Sequence, residues 1–152
     1  MTIEQRSAAG WRGLTLRSRL ADATAREADA FGLAGRDPVL HVLRLLRVDG
    51  MPALVSRATY PGWLAAAIQP LPDDVDSIMG SLEEGLELIV EHSVRRVGAA
   101  AASGEDARLL GVRRSSPVLR VVRSVRDLRG AALELADDRY RPEHAPERLV
   151  SA

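Results

Sequence analysis

Cysteine, lysine and asparagine are all missing from this chain of 152 residues, and only five residues are aromatic. Without cysteine there is no disulfide framework, no thiolate metal site and no cysteine nucleophile. Every one of the 21 cations is therefore an arginine, and 21 anions balance them to a formal net charge of zero. A chain with no cationic surplus is a poor binder of nucleic acid on its own, because phosphate contacts need excess positive charge on one face. The lack of lysine and asparagine reads as codon usage in a GC-rich genome, since arginine solvates a surface as well as lysine does. Long apolar runs are missing too. The longest uncharged stretch, Ala58 to Pro72, is too short to span a bilayer and is broken by Pro61 and Pro70. The N-terminus lacks the charged-then-apolar pattern of a signal peptide. These absences point to a cytoplasmic protein with no membrane partner. With Trp11, Phe31, Tyr60, Trp63 and Tyr140 as the aromatic set, the core has to be built from Leu, Val and Ala. The length fits one domain, which buries about 70% of its extended surface and needs no staples.

Along the chain, residues 1–13 are polar and without period, and read as a tail or linker. Leu14 to Asp22 alternates like a strand. Thr24 to Leu33 has the pattern of a short helix closed by glycine. Pro38 to Asp49 is a strand rich in Val and Leu, Asp49-Gly50 is a hairpin turn, and Met51 to Tyr60 returns as the next strand. After a short helix or turn over 63–68, the box Ser81-Leu82-Glu83-Glu84 predicts a helix to about Glu91. Ser93 to Ala102 is a small-residue strand, Ser103 caps another short helix, and Pro117–Asp127 with Ala131–Arg141 forms a second hairpin. Residues 143–152 read as a tail.

The two halves match. Phe31-Gly32-Leu33, Pro38-Val39-Leu40, Val42-Leu43-Arg44 and Arg47 correspond to Leu110-Gly111-Val112, Pro117-Val118-Leu119, Val121-Val122-Arg123 and Arg126 at an offset of 79. One extra residue in the second turn makes the offset 80, which pairs Tyr60 with Tyr140. Two strand–helix–strand–hairpin units predict an α+β domain with six mainly antiparallel strands and helices packed on the sheet.

Candidate site residues stand out where they break the pattern. Arg44 sits in the apolar row Leu40, Val42, Leu46, Val48, and its repeat mate Arg123 sits likewise among Leu119, Val121 and Val125. A charge in such a row has to be paired or face a cavity. Two readings follow: the guanidiniums pair with local carboxylates such as Glu134 or Asp138, or they clamp an anionic small molecule. For Arg123 the local pair is the simpler one. Glu134 replaces Leu54 of the other copy, a broken symmetry of the kind sites tolerate. By alternation Tyr140 shares a row with Glu134, Ala136 and Asp138, a row that spacing alone reads as a solvated face. Ser81 reads as a helix cap, with an anion-binding helix N-terminus as its second reading. His41, His92 and His144 lack metal-ligand spacing, and no phosphate loop or nucleophile elbow is present. Neither a cofactor nor a metal is implied.

The segments Asp37–Pro52, Gly80–Glu87, Ala107–Val112, Pro117–Gly130 and Ala132–Arg141 resemble the UTRA domain. This is the effector-binding domain of GntR-family transcription regulators of the HutC type, and the resemblance runs from about Leu14 to Arg141. It implies a chorismate-lyase-like fold, a UTRA domain over residues 14–142 and a pocket for a small, often anionic effector. It also implies a homodimer in a bacterial cytoplasm that reaches DNA only through a winged-helix domain absent from this chain. The family's pocket arginine maps to Arg44, its serine to Ser81, and its last-strand Glu and Tyr to Glu134 and Tyr140; Arg123 joins them as the repeat mate of Arg44. Leu46 stands where many members carry a second arginine, and no Ser/Thr-rich phosphate-binding segment is present. Both departures disfavour a phosphorylated sugar. Two alternatives remain open: a chorismate-lyase-type enzyme in which Arg44 and Glu134 hold a dicarboxylate, and a stand-alone partner that heterodimerises with a full-length regulator.

Overall fold

Thr24 and Ser103 start the same local structure in each half of the chain. The Thr24 hydroxyl accepts from the Glu27 amide, and Glu27 reaches back to the Thr24 amide, a reciprocal cap. Ser103 accepts from the Asp106 amide in the same way. Gly32 and Gly111 end the two helices in left-handed conformation, where a Cβ would be strained. The computed structural model describes residues 10–145. Its strands are β1 (Trp11–Asp22), β2 (Pro38–Val48), β3 (Met51–Pro61), β4 (Val90–Ala101), β5 (Pro117–Asp127) and β6 (Ala132–Tyr140). Its α-helices are α1 (Ala25–Phe31), α2 (Ala65–Ile68), α3 (Ile78–Leu86) and α4 (Gly104–Leu110), with 3-10 turns at Gly62–Leu64 and Pro142–His144.

The six strands form one antiparallel sheet in the order β1-β2-β3-β6-β5-β4. This order follows from the repeat. Each half folds its own three strands side by side, and the halves meet where β3 pairs with β6. Arg57 lies opposite Asp137 in that pairing, and these two are repeat mates. A pseudo-two-fold axis therefore passes between them. The chain is thus an α+β domain built on one antiparallel sheet.

Helices cover both sheet faces. On one face, Ala28 and Phe31 of α1 pack on Val39 and Ala132, while Ala107 and Leu110 of α4 pack on Leu43, Leu45, Val55 and Val118. Arg57 ties α4 to this face through Glu105 and Asp106, each at 2.7 Å. On the other face, Leu64, Ile68, Ile78, Met79 and Leu82 pack on Leu40, Val42 and Tyr60. The core is mainly aliphatic, as the composition requires, with Trp11, Phe31, Tyr60 and Tyr140 buried in it. Among the described residues no helix is long and apolar enough to cross a membrane.

Three boundaries differ from those expected. β1 starts at Trp11, not Leu14, because Trp11 is buried against Leu46, Leu54 and Tyr140. The expected tail over 1–13 thus gives up Trp11–Gly13 to the sheet; its residues 1–9, and 146–152 of the expected C-terminal tail, lie outside the described residues. Helix α3 is capped by Ser77, whose hydroxyl accepts from the Gly80 amide at 3.0 Å, and not by Ser81. Burial of Ile78 and Met79 starts the helix about one turn earlier than the capping-box pattern indicates. The same helix stops at Leu86, with Glu87 left-handed, so β4 begins at Val90.

The turn after β3 depends on a close approach. A Cβ built on Gly62 would stand 2.5 Å from the Pro38 carbonyl oxygen and 2.9 Å from its ring. Gly62→Ala is expected to destabilise the fold by about 1–3 kcal/mol, as overpacking does; a urea midpoint equal to that of the parent protein would contradict this close approach. Ser77→Ala should cost about 1 kcal/mol through loss of the cap. Ser81→Ala should stay within about 0.5 kcal/mol, and the reverse order in denaturation would reinstate Ser81 as the cap.

Candidate ligand site

The sheet face beneath α3 carries three register rows. The first runs Arg44, Ser56, Asp138 and Val121; the second runs Val42, Ala58, Ala136, Arg123 and Arg95. The third pairs Leu40 with Tyr60 and Glu134 with Val125. Side chains alternate between faces along each strand, so all of these point to the same side. Polar and apolar residues share these rows, and Ser56, Arg123, Glu134 and Asp138 cluster at their middle. Above that middle the first turn of α3, Ser77 to Gly80, forms a roof over a cavity of about 360 Å³. Glu83 of α3 and Arg95 of β4 are exposed where they line it.

The repeat determines the distribution of charge. Arginines occupy equivalent positions in both copies, at 44 and 123. Carboxylates occur in one copy only: Glu134 and Asp138 of β6 stand where β3 carries Leu54 and Ala58. Arg123 is therefore held between two acids. Its Nε donates to Asp138 Oδ2 at 2.7 Å and its Nη1 to Glu134 Oε1 at 2.8 Å. The other carboxylate oxygens are also engaged. Ser56 Oγ donates to Asp138 Oδ1 at 2.6 Å, and the Tyr60 hydroxyl donates to Glu134 Oε2 at 2.5 Å. Asp138 is fully buried and Glu134 is 3% exposed. Charges this deep are tolerated because their lone pairs are satisfied by donors.

Ionisation follows from the same contacts. Burial works against the Arg123 charge, but Glu134 and Asp138 outweigh it and raise the guanidinium pKa beyond its ordinary value. Burial, then the charge and hydrogen bond of Glu134, push the Tyr60 phenol well above its usual range. Tyr60 thus remains a protonated donor to Glu134 at physiological pH.

Arg44 has a different environment. It lies opposite Ser56 and is 7% exposed. Its Nη2 donates to the backbone carbonyl of Val75, in the segment between α2 and α3. Gly13 of β1 leaves room for the guanidinium: a Cβ there would stand 2.5 Å from Nη2 and 3.0 Å from Cζ. The Thr15 amide donates to the Asp73 carbonyl at 2.7 Å, so the same segment is fastened to β1 as well.

The structure brings Arg44, Arg123 and Glu134 together on the cavity wall. It does not bring Ser81 there. Ser81 lies a turn along α3, where its hydroxyl donates back to the Ser77 carbonyl at 3.0 Å, and Ser77 lines the cavity instead. Tyr140 is also displaced. It is packed with Trp11, Leu46, Leu54 and Val121, and the tyrosine at the cavity is its repeat mate, Tyr60. The 80-residue offset already related the two, so the repeat held the signal that alternation along β6 alone did not. Ser56 had no comparable signal: it meets Asp138 only because β3 pairs with β6.

A cavity of this size over a sheet, with a few convergent polar groups set in apolar walls, defines a small-molecule-binding α+β domain. Residues 11–145 match the family model of the UTRA domain, and the chain belongs to that family. Its fold is that of GntR-regulator effector domains. The ligand-binding domain of a GntR-family transcriptional regulator from Bordetella bronchiseptica is 25% identical, with a TM-score of 0.82 over 90% of this chain and 85% of that one. The effector domain of PhnF from Mycobacterium smegmatis is 19% identical, with a TM-score of 0.85 over 94% of this chain and 91% of that one. The chain spans 64% of a longer PhnF structure from the same organism, at a TM-score of 0.85, 19% identity and 95% coverage of this chain. Comparison with curated protein sequences gives no significant match.

Removing Arg123 leaves two buried carboxylates without their shared counter-charge. Arg123→Met is expected to destabilise the domain by about 3–5 kcal/mol. Adding Glu134→Leu, which copies Leu54, should return part of that loss. Chemical denaturation of the two variants checks this, and a single variant as stable as the parent would contradict the ion-pair arrangement.

Proposed function

We propose that this chain is the sensing module of a GntR regulator of the HutC type, and that it binds a small polar effector in the cavity between α3 and the sheet. The observation that carries this reading is the cavity itself: 360 Å³ with Arg44, Arg123 and Glu134 on its wall, in a UTRA fold. Arg44 receives an acidic group of the effector, because it stands on the cavity wall and a guanidinium matches the geometry of a carboxylate or phosphate. Ser77 and Tyr60 take the places that the family pattern gave to Ser81 and Tyr140.

The module pairs with a second copy of itself, works in a bacterial cytoplasm, and reaches DNA through a winged-helix domain outside this chain. Its balanced charge supports that division of labour, since phosphate contacts then belong to another domain. Occupancy is passed on as a population shift, because an effector that favours one arrangement of the Val75 segment or of β1 favours it throughout the dimer. Binding, not turnover, is its task. Tyr60 is held protonated, and Glu134 and Asp138 are tied to Arg123, an arrangement that favours binding over proton transfer.

A thermal-shift screen with organic acids, amino-acid derivatives and sugar phosphates tests this reading. A ligand at about a hundred times its Kd adds about 2.7 kcal/mol, or about 5–10 °C for a domain of this size. Arg44→Ala should abolish the shift and Ser81→Ala should keep it. A shift that survives Arg44→Ala places the ligand elsewhere, and pyruvate release from chorismate by the purified chain would overturn the binding-only reading.

A further inference from the structure

The sheet face opposite the effector cavity carries a second hollow. It lies between α1 and the strands β3, β6, β5 and β4, encloses about 620 Å³, and has Arg26 of α1 and Arg96 of β4 on its wall. Val122 and Leu135 give its floor an apolar part. Along β5 and β6 the floors of the two cavities alternate, Val122 with Arg123 and Asp137 with Asp138, so the cavities share one sheet and open on opposite sides.

The repeat supplies an internal comparison. At the 79-residue offset Arg96 is the mate of Arg17, and Arg26 is the mate of Glu105. Beside α4, Glu105 Oε1 lies 3.8 Å from the Arg17 guanidinium and 2.7 Å from that of Arg57. One carboxylate of the helix thus serves two guanidiniums of the sheet. Across the pseudo-two-fold axis the helix presents Arg26 in that place, and Arg96 shares a cavity wall with a cation where Arg17 meets an acid. The acids nearby are engaged elsewhere. Asp137 gives one oxygen to Arg120 at 2.7 Å and the other to Arg139 at 2.6 Å, and Glu27 is tied to His41 at 2.7 Å. Among the described residues neither Arg26 nor Arg96 has a hydrogen bond or an ion pair, and both are exposed. The equivalent hollow of the other half, with Arg17 and Arg57 on its wall, is smaller, about 250 Å³.

From this we propose that the hollow beside α1 is a second ligand site, for a small phosphorylated molecule whose phosphate is held between Arg26 and Arg96 and whose remainder lies on Val122 and Leu135. The ligand supplies the anion that Glu105 supplies in the other half. Two guanidiniums suit a phosphate better than a carboxylate. The two oxygens of a carboxylate are used up by one guanidinium fork, whereas a phosphate ester has three acceptor oxygens and nearly two charges to share. The proposal is independent of the effector reading, which concerns the other face of the sheet.

Calorimetric titration of the full chain at low ionic strength, with phenyl phosphate and benzoate as probes, tests the proposal. Phenyl phosphate is expected to bind at least about tenfold more tightly than benzoate, and Arg96→Ala to weaken it at least about tenfold. Arg26→Glu, which copies Glu105, should abolish binding, and Arg44→Ala on the other face should change it by less than about twofold. Unfolding midpoints of the variants show that the fold is intact; if Arg26→Glu does not fold, Arg96→Ala decides alone. No measurable binding of phenyl phosphate overturns the proposal, and so does benzoate binding as tightly. Binding that is lost in Arg44→Ala but kept in Arg96→Ala also overturns it, since the probe then sits in the effector cavity. The effector reading is judged separately, by the thermal-shift screen.

Discussion

Arg123, held between Glu134 and Asp138, is the interaction on which the site depends. Arg123, Glu134 and Asp138 lie together on a mostly buried face, and none could remain there alone. The carboxylates keep the guanidinium charged, the guanidinium allows the carboxylates to stay buried, and Ser56 and Tyr60 take up the oxygens that Arg123 leaves over. Four strands contribute to the surroundings of this cluster, and their antiparallel register places its members within reach. Packing alone would be served equally well by the Leu54 and Ala58 pattern of the other copy. Retaining polar groups there keeps the middle of the sheet from being more apolar core.

The duplicated plan explains both the sheet and its asymmetry. Two strand–helix–strand–hairpin units, joined with β3 against β6, build a six-stranded sheet with an approximate two-fold axis between Arg57 and Asp137. The axis is perpendicular to the sheet, so a symmetric arrangement by itself would place the repeat mates Arg44 and Arg123 in two equivalent sites on one face. The connecting segment with α2 and α3 breaks that equivalence, since it occurs once. Arg44 then meets the Val75 carbonyl and Gly13, while its mate Arg123 meets carboxylates. The same substitution of side chains around one repeated frame yields an anchor at one position and an ion-pair centre at the other.

Much of this was legible along the chain, for reasons that are local. Thr24 and Ser103 cap helices through contacts three residues away. Asp49-Gly50 turns a hairpin through its own backbone, and Pro and Gly punctuate both copies at a constant spacing. Arg44, Arg123 and Glu134 stood out because each violates an alternation that needs only its neighbours. Ser81 misled because a capping box is a pattern of four residues that recurs wherever Ser and Glu fall at the right spacing. Burial of Ile78 and Met79 moved the true cap to Ser77. Alternation put Tyr140 in a row with Glu134 and Asp138 that spacing read as solvated and the family resemblance read as the site; the row is buried, and Tyr140 lies beyond the cavity because alternation gives the face of a strand but not how far along it the cavity extends.

By itself, then, the sequence determined the elements, their duplication, the antiparallel α+β class and the arginines set in apolar rows, since all of these rest on contacts within a few residues or on a repeat visible in the letters. Only the tertiary structure decided which tyrosine and which serine reach the cavity, and that Ser56 and Asp138 complete the cluster around Arg123. Those facts depend on the register between β3 and β6 and on the place where α3 lands. Both are set by burial and pairing between residues some eighty positions apart, which no local pattern records.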